Sequence, residues 1–420
     1  MHPARLLDLT AELLAPVLQG AQPADRVVSG FFRQHRVLGP RERHTLAETA
    51  YAVLRKRLLW QHLAQGGSGS LQRRLAILAW QGSRDFLRGA LTESEAGWAA
   101  HAASLDLASL PEPTRHNLPG WLVTALASSV PATEFIALTD ALNQPAALDL
   151  RVNTLKARRE QVLQALRDEG IEAEPTPFSP WGLRVQGKPA VDRTAAFREG
   201  LVEVQDEGSQ LLALLTGASR GEMVADFCAG AGGKTLALGA MMRNTGRLYA
   251  FDTSGHRLDA LKPRLARSGL SNVYPAQIAH ERDDRVRRLA GKIDRVLVDA
   301  PCTGLGTLRR NPDLKWRQGP EAAQEMALRQ AAILTAASRL LRPGGRLVYA
   351  TCSLLRQENE EVVAAFEETA GRDWERATAG ELLASAQVCE AARLDEAGFL
   401  RLWPHRHGTD GFFAAAWTRR

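Results

Sequence analysis

From residue 1 to about 115, apolar positions recur at spacings of three and four. RLLDLTAELLAPVL keeps that rhythm until Gly20, and RHTLAETAYAVLRKRLLWQHLAQGG repeats it. The spacing predicts helices and no strands. Between 116 and 211 the texture changes. WLVTALASSV and EFIALTDAL remain helix-like, ALDLRVNTL reads as a short strand, and REQVLQALRDEG reads as a helix closed by Gly170. IEAEPTP and GLRVQG supply further strands, with loops at Pro175, Pro177 and Pro180. From 212 to 420, strand-length apolar runs (MVADFCA, RLYAFD, IDRVLVDA, GRLVYATCS) alternate with helix-length runs such as HRLDALKPRLARSG and EAAQEMALRQAAILTAASRLL. This alternation predicts an α/β domain: a mostly parallel sheet, helices on both faces, and ligands beyond the carboxyl ends of the strands. Three domains are expected: helical 1–115, a small α+β module 116–211, and α/β 212–420.

Composition narrows the function classes. In 420 residues, 45% hydrophobic and 24% charged is an ordinary globular balance, which excludes wholesale disorder. Lys and Arg number 53 against 47 Asp and Glu, a net charge of +6 that makes nucleic acid a live partner. Arg33, Arg36, Arg41, Arg43, Arg55, Arg57, Arg73 and Arg74 concentrate this charge in the helical segment. They form either a solvated face or an RNA-contacting one. No run approaches the roughly 18 apolar residues of a membrane span, and MHPARLLDLT lacks a signal-peptide layout, so a cytoplasmic protein is expected. Cys228, Cys302, Cys352 and Cys389 have neither CxxC spacing nor disulfide density and read as free thiols.

VADFCAGAGGKT places Gly230, Gly232 and Gly233 between a strand and the start of a helix, where backbone can approach a ligand and free N–H groups await it. Its spacing is neither GxGxxG nor a P-loop, which disfavours ATP hydrolysis. Asp252, ending the next strand 26 residues after Asp226, can accept both hydroxyls of an unphosphorylated adenosine ribose; as a bare helix cap it would carry no chemistry. Asp299-Ala300-Pro301-Cys302 and Thr351-Cys352-Ser353 each end a buried strand, so two thiols emerge at one rim of the sheet. Either cysteine alone would read as a small core hydrophobe. The pair beside a glycine loop reads as chemistry, and no further Cys or His stands nearby at metal-ligand spacing. Arg309, Arg310, Lys315, Trp316 and Arg317 interleave cations with an aromatic, as single-strand RNA binding demands.

DFCAGAGGKT, DAPCTGLGTLRRNPDLKWR, YATCSLLRQENEEV and RLWPHRHGTDGFF resemble the motifs of the RsmB/Nop/Sun family of S-adenosylmethionine-dependent RNA cytosine-5 methyltransferases. LDLRVNTLK resembles that family's small module, and RERHTLAETAYAVLRKRLLWQHL resembles, more weakly, the NusB-like helical domain of its bacterial rRNA members. The NusB-like part reads as shortened, its closing helical sequence being hard to find between Gly89 and Pro111.

The resemblance implies a Rossmann-like class I methyltransferase domain, S-adenosylmethionine as cofactor, and 16S rRNA as substrate, with tRNA or a non-catalytic role in ribosome assembly as alternatives. It implies a monomer using neither metal nor membrane. It makes Cys352 the nucleophile, gives Cys302 a part in product release, and sets Asp299 against the base. The bare residues leave the two cysteines symmetric. By the same resemblance the cofactor is held by Cys228, Ala229, Gly230, Ala231, Gly232, Gly233 and Lys234, with Asp252, Asp299 and His280. His280 stands where the family often has an Asp near the adenine. The chemistry is coherent, because carbon 5 of cytosine becomes nucleophilic only after a thiolate adds at carbon 6. A thiol of pKa near 8.5 is only about 3% ionised at pH 7, so the site must favour the thiolate, and Lys234 is a candidate to do so.

Overall fold

The segment expected to be all-helical is all-helical. In the computed structural model, which describes residues 1–420, it opens with the helices Pro3–Gln19, Ala24–Gln34 and Pro40–Arg55, and Gly20 ends the first in a left-handed cap at φ 69°. Leu7, Leu13, Leu14, Leu46, Val53 and Leu75 fill their common core. The stretch from Gly89 to Pro111 does contain a helix, Glu93–Ser104, opened by a capping box of Thr92 and Glu95. Its apolar side chains are nearly all alanine, so it has little of the stripe that marks an amphipathic helix in sequence.

By packing, the helices Gly120–Ala127 and Ala132–Leu142 group with the N-terminal helices in one compact unit, residues 1–145 together with 307–320. Leu59 N donates to Asn117 Oδ1 at 3.0 Å and Lys315 Nζ to Asn143 Oδ1 at 2.7 Å, which ties them in. Asn143 Nδ2 donates to His116 O at 2.9 Å, Thr139 Oγ1 lies 3.3 Å from His116 Nδ1, and the Phe135 ring stands edge-on to the imidazole.

The second unit comprises 146–306 and 321–420. Its smaller part is an antiparallel sheet of β1 (Leu148–Val152), β2 (Ala173–Pro175), β3 (Gly182–Val185) and β4 (Val202–Val204), in the order β2-β3-β1-β4. Val162 and Leu166 of the helix Arg159–Asp168 cover it.

The larger sheet contains β5 (Met223–Asp226), β6 (Arg247–Asp252), β7 (Val273–Gln277), β8 (Ile293–Asp299) and β9 (Leu341–Thr351). It is completed by β10 (Trp374–Ala377), β11 (Asp395–Glu396), β12 (Phe399–Leu402) and β13 (Phe412–Arg419). The order is β7-β6-β5-β8-β9-β13-β12-β11, with β10 on β13; β5 to β9 pair in parallel, while β13 enters antiparallel to β9. Alternate residues serve opposite faces: Val224, Leu297 and Val348 pack with Leu211 and Leu238, whereas Ala225, Val296, Val298 and Tyr349 pack with Ile333 and Leu334. The chain reverses direction across the sheet between β5 and β8. That switch point opens a crevice at their carboxyl ends, where Asp226 and Asp299 stand.

Candidate active site

After Asp226, three backbone hydrogen bonds shape the glycine loop. Phe227 N donates to Leu297 O, Ala229 N to Phe251 O and Gly230 N to Asp252 Oδ2, each at 2.8 Å. Gly232 then enters the helix Gly233–Met241 at φ 85°, and a Cβ there would lie 2.1 Å from Leu261. Gly230, at φ 54°, would put a Cβ into open space, so at this residue the loop's backbone is uncovered. Asp252 is buried at the end of β6, its second oxygen accepting from Ser254 N at 2.7 Å. Cys228 and Ala229 lie within the loop, and burial pushes the Cys228 thiol well up.

Beneath the loop, Thr235 Oγ1 donates to Asp226 Oδ2 at 2.7 Å, while Asp226 Oδ1 is buried without a partner. Burial, against that hydrogen bond and with the nearby Asp299 charge adding to it, pushes the Asp226 carboxyl up to about 7. Lys234 Nζ reaches across to Asp299 Oδ2 at 2.7 Å. Burial opposes the ammonium charge, but Asp299 outweighs it and lifts Lys234 above its ordinary range; the charge of Cys352 acts in the same direction.

Because β8 and β9 run in parallel with Asp299 opposite Ala350, the segments that follow them leave the sheet together. Cys302 Sγ and Cys352 Sγ lie 3.3 Å apart. The hydrogen bond to Cys352, then burial, raise the Cys302 thiol well above the usual range. The two cysteines, symmetric in the sequence, differ in the fold, since Cys302 is the thiol that its surroundings raise. Gly306 N donates to Cys352 O and Gly411 N to Gly306 O, both at 2.8 Å. A Cβ on Gly306 would meet Gly411 O at 2.1 Å, and one on Gly411, the second glycine of GTDGFF, would meet Leu354 at 2.4 Å, so this close approach needs glycine on both sides.

His280 is exposed, and its Nδ1 accepts from Arg282 N at 3.1 Å. A hollow beside β7 is lined by Gln277, Ile278, Ala279 and Asp283, with Asp283 accepting from Ala279 N and Arg285 N.

The basic loop departs from expectation. Lys315 is 1% exposed, its ammonium donating to Arg55 O and Asn143 Oδ1 at 2.7 Å, and burial holds it well below its ordinary pKa. Trp316 Nε1 donates to Leu54 O at 2.7 Å, with the Arg57 guanidinium over its ring. These two residues hold the helical unit together and do not face solvent as an RNA clamp. Arg309 donates to Pro145 O, Arg317 pairs with Asp313, and Arg310 is half-buried. Of the eight N-terminal arginines, Arg33, Arg36 and Arg41 are exposed, whereas Arg55 is buried and Arg73 is tied to Glu95 and Asp8.

The strand order, the glycine loop at the switch point and the acid ending the second strand define a Rossmann-like class I methyltransferase. A family model described as 16S rRNA methyltransferase RsmB/F matches residues 213–418, and one for the ferredoxin-like domain of RsmF/B-like methyltransferases matches 118–192. The chain is 34% identical over 304 residues to the probable ribosomal RNA small subunit methyltransferase B of Synechocystis sp., covering 72% of this chain and 66% of that one. With the corresponding protein of Bacillus subtilis it shares 33% identity over 309 residues, 73% of this chain and 67% of the relative. It therefore spans about two thirds of the length of these relatives. Among solved structures, PH0851 matches with a TM-score of 0.81 at 25% identity over 100% of this chain and 99% of that one. A methyltransferase homolog from Pyrococcus horikoshii matches at 0.62 and 28% identity, over 75% of this chain and 100% of that chain. The chain belongs to the RsmB/F family of 16S rRNA methyltransferases.

Proposed function

We propose that this protein methylates carbon 5 of a cytosine in RNA, with 16S rRNA as its substrate, through a covalent adduct on Cys352. The observation that carries the reading is the pair of sulfurs 3.3 Å apart on the strand ends next to the Lys234–Asp299 ion pair. An RNA-binding assembly factor without catalysis would need none of these groups.

The residues fit S-adenosylmethionine. Asp252 supplies an acceptor for the ribose, the helix N-terminus at Gly233 supplies donors, and the orphaned Asp226 oxygen provides a buried polar partner. When bound, that cofactor supplies an electrophilic methyl group. The remaining work belongs to the chain. The Cys352 thiolate forms a bond to carbon 6, and the proton taken up at N3 comes from Lys234 through Asp299. Electron density gathers at carbon 5, which forms the new carbon–carbon bond. The carbon 5 proton passes to water, the N3 proton returns through Asp299 to Lys234 as the carbon 6–sulfur bond breaks, and the Cys302 thiol stabilises the departing Cys352 thiolate by hydrogen bonding. A cytosine stacked in a helix would hide the face attacked, so the target is a loop nucleotide or an extruded one.

Bisulfite sequencing of cellular RNA with and without the gene tests the reading. It expects one protected cytosine in 16S rRNA to be lost. Loss in tRNA alone would move the substrate, and no loss in any RNA would overturn the reading.

A further inference from the structure

Glu358, twenty-eight residues from Gln330 and fifty-five from Thr303, is fully buried. Its Oε1 accepts from Thr303 N at 2.8 Å and from Gln330 Nε2 at 3.0 Å. Its Oε2 accepts from Thr303 Oγ1 and from Ser353 Oγ. Thr303 follows Cys302, and Ser353 follows Cys352. One carboxylate thus clamps the residue after each cysteine, and the long helix Pro320–Ser338 contributes the fourth donor through Gln330. Four donors on two oxygens are the pattern of an ionised carboxylate, which only accepts. The main chain of the same residue is anchored as well, Tyr349 Oη donating to Glu358 O at 2.6 Å.

We propose that Glu358 is a positioning residue of the methyltransferase: it sets the two cysteine loops in register and keeps the shared proton on Cys302, so that Cys352 is the sulfur free to attack. The proposal rests on the functional reading above for its purpose, but not for its test. The argument is electrostatic as well as geometric. The groups that act on Cys302 are Cys352, which follows β9, Glu358 from the segment after it, Tyr349 from β9 and the main chain of Gly304. Glu358 is the acidic side chain that raises the Cys302 thiol, after the Cys352 hydrogen bond, burial and the Cys352 charge. Lys234, the cation of the site, is linked to Cys352 instead. A carboxylate on the Cys302 side and an ammonium on the Cys352 side bias one proton between two identical groups.

The test uses the full chain without RNA or cofactor: iodoacetamide alkylation of Cys302 and Cys352 as a function of pH, read peptide by peptide by mass spectrometry. In the unmodified protein at neutral pH, Cys352 is expected to react at least tenfold faster than Cys302; the reverse order overturns the proposal whether or not any variant folds. Glu358→Gln preserves shape and four hydrogen-bonding sites, since its amide can donate to the two hydroxyls, which then turn to accept. It is expected to move the Cys302 profile to lower pH by about one unit, while Glu358→Asp, which keeps the charge, restores it. A folded Glu358→Gln with an unmoved Cys302 profile would also overturn the proposal, because a merely structural clamp would change both thiols alike or neither. Failure of the methylation reading would leave these thiol profiles untouched and appear only in the RNA assay.

Discussion

Lys234 Nζ stands 2.7 Å from Asp299 Oδ2, so a residue in the first turn of the helix after β5 is ionically tied to the last residue of β8. The pair spans the switch point of the sheet, and in the proposed reaction it supplies the proton taken up at N3 of the cytosine. Lys234→Gln is expected to lower kcat by about 10² to 10³, the scale for losing one preorganised charged donor, with a smaller change in RNA affinity. Since Lys234 is held above its ordinary range, its charge and its contribution to stability are present through neutral pH and are lost only as pH rises into strongly alkaline solution. Single-turnover methylation across pH 6 to 9 checks this; an alkaline fall in rate that disappears in Lys234→Gln would contradict it.

The two sulfurs predict separable defects. Cys352→Ala should give neither methyl transfer nor an RNA crosslink. Cys302→Ala should add and methylate but stall before release, leaving a protein–RNA complex that survives denaturing electrophoresis, and the double variant should behave like Cys352→Ala. A crosslink in Cys352→Ala that is missing in Cys302→Ala would exchange the roles.

Asp226 predicts a pH dependence of stability in the ligand-free protein. Its folded pKa of about 7 lies above its ordinary 3.8, so between those values the folded state binds the extra proton and stability falls as pH rises. The loss is complete above about 7 and amounts to a few kcal/mol. Asp226→Asn should flatten this slope. Thermal unfolding at pH 5 and pH 8 decides, and an equally steep slope in the variant would remove Asp226 as its source.

For the cofactor, Asp252→Ala should weaken S-adenosylmethionine binding by about 10- to 100-fold, the range for losing a hydrogen bond to a charged acceptor. Because Asp252 also accepts from Gly230 N and Ser254 N, part of that loss comes through the loop. Calorimetry gives the number, with ATP as a competitor expected to have no effect; an unchanged affinity in Asp252→Ala takes the residue out of the site.

RNA affinity should fall with salt as bound phosphates release counterions. Replacing Arg33, Arg36 and Arg41 together by Gln should flatten the log–log slope by up to about 0.7 to 0.9 for each phosphate that is no longer neutralised. Lys315→Met, by contrast, should lower the melting temperature by exposing the unmet needs of Arg55 O and Asn143 Oδ1, and should leave the slope alone. A Lys315→Met variant of normal stability with a flattened slope would return that residue to the RNA.

What is legible in the sequence follows from how far apart along the chain the partners of each group lie. The glycine loop, Asp252 and both cysteines lie at the ends of strands, and strand ends on one edge of a parallel sheet are neighbours whatever separates them along the chain. Glu358 sits within a recognisable motif but has no role that the sequence can assign, because its donors come from residues 303, 330 and 353. Lys315 and Trp316 look like an exposed basic and aromatic loop because nothing local reveals that Arg55, Asn143 and Leu54 will cover them. The helices at 120–142 read as part of the module whose strands they precede, and nothing local reveals that Asn117 Oδ1 will accept from Leu59 N or Asn143 Oδ1 from Lys315.

The membership of residues 307–320 in the first unit has a consequence for how the chain is made. Asp313 accepts from Ala24 N, Trp316 donates to Leu54 O and Lys315 to Arg55 O, so the helical unit remains incomplete until this segment has been synthesised. Nascent chains ordinarily fold domain by domain from the N-terminus at about 5 to 20 residues per second. Here the core of the first unit, from Leu6 to Ala90, is made early, but Arg55 O, Asn143 Oδ1 and Leu54 O lack the donors that later cover them until Lys315 and Trp316 have emerged. The order in which the protein is born is therefore not the order in which its first unit is finished.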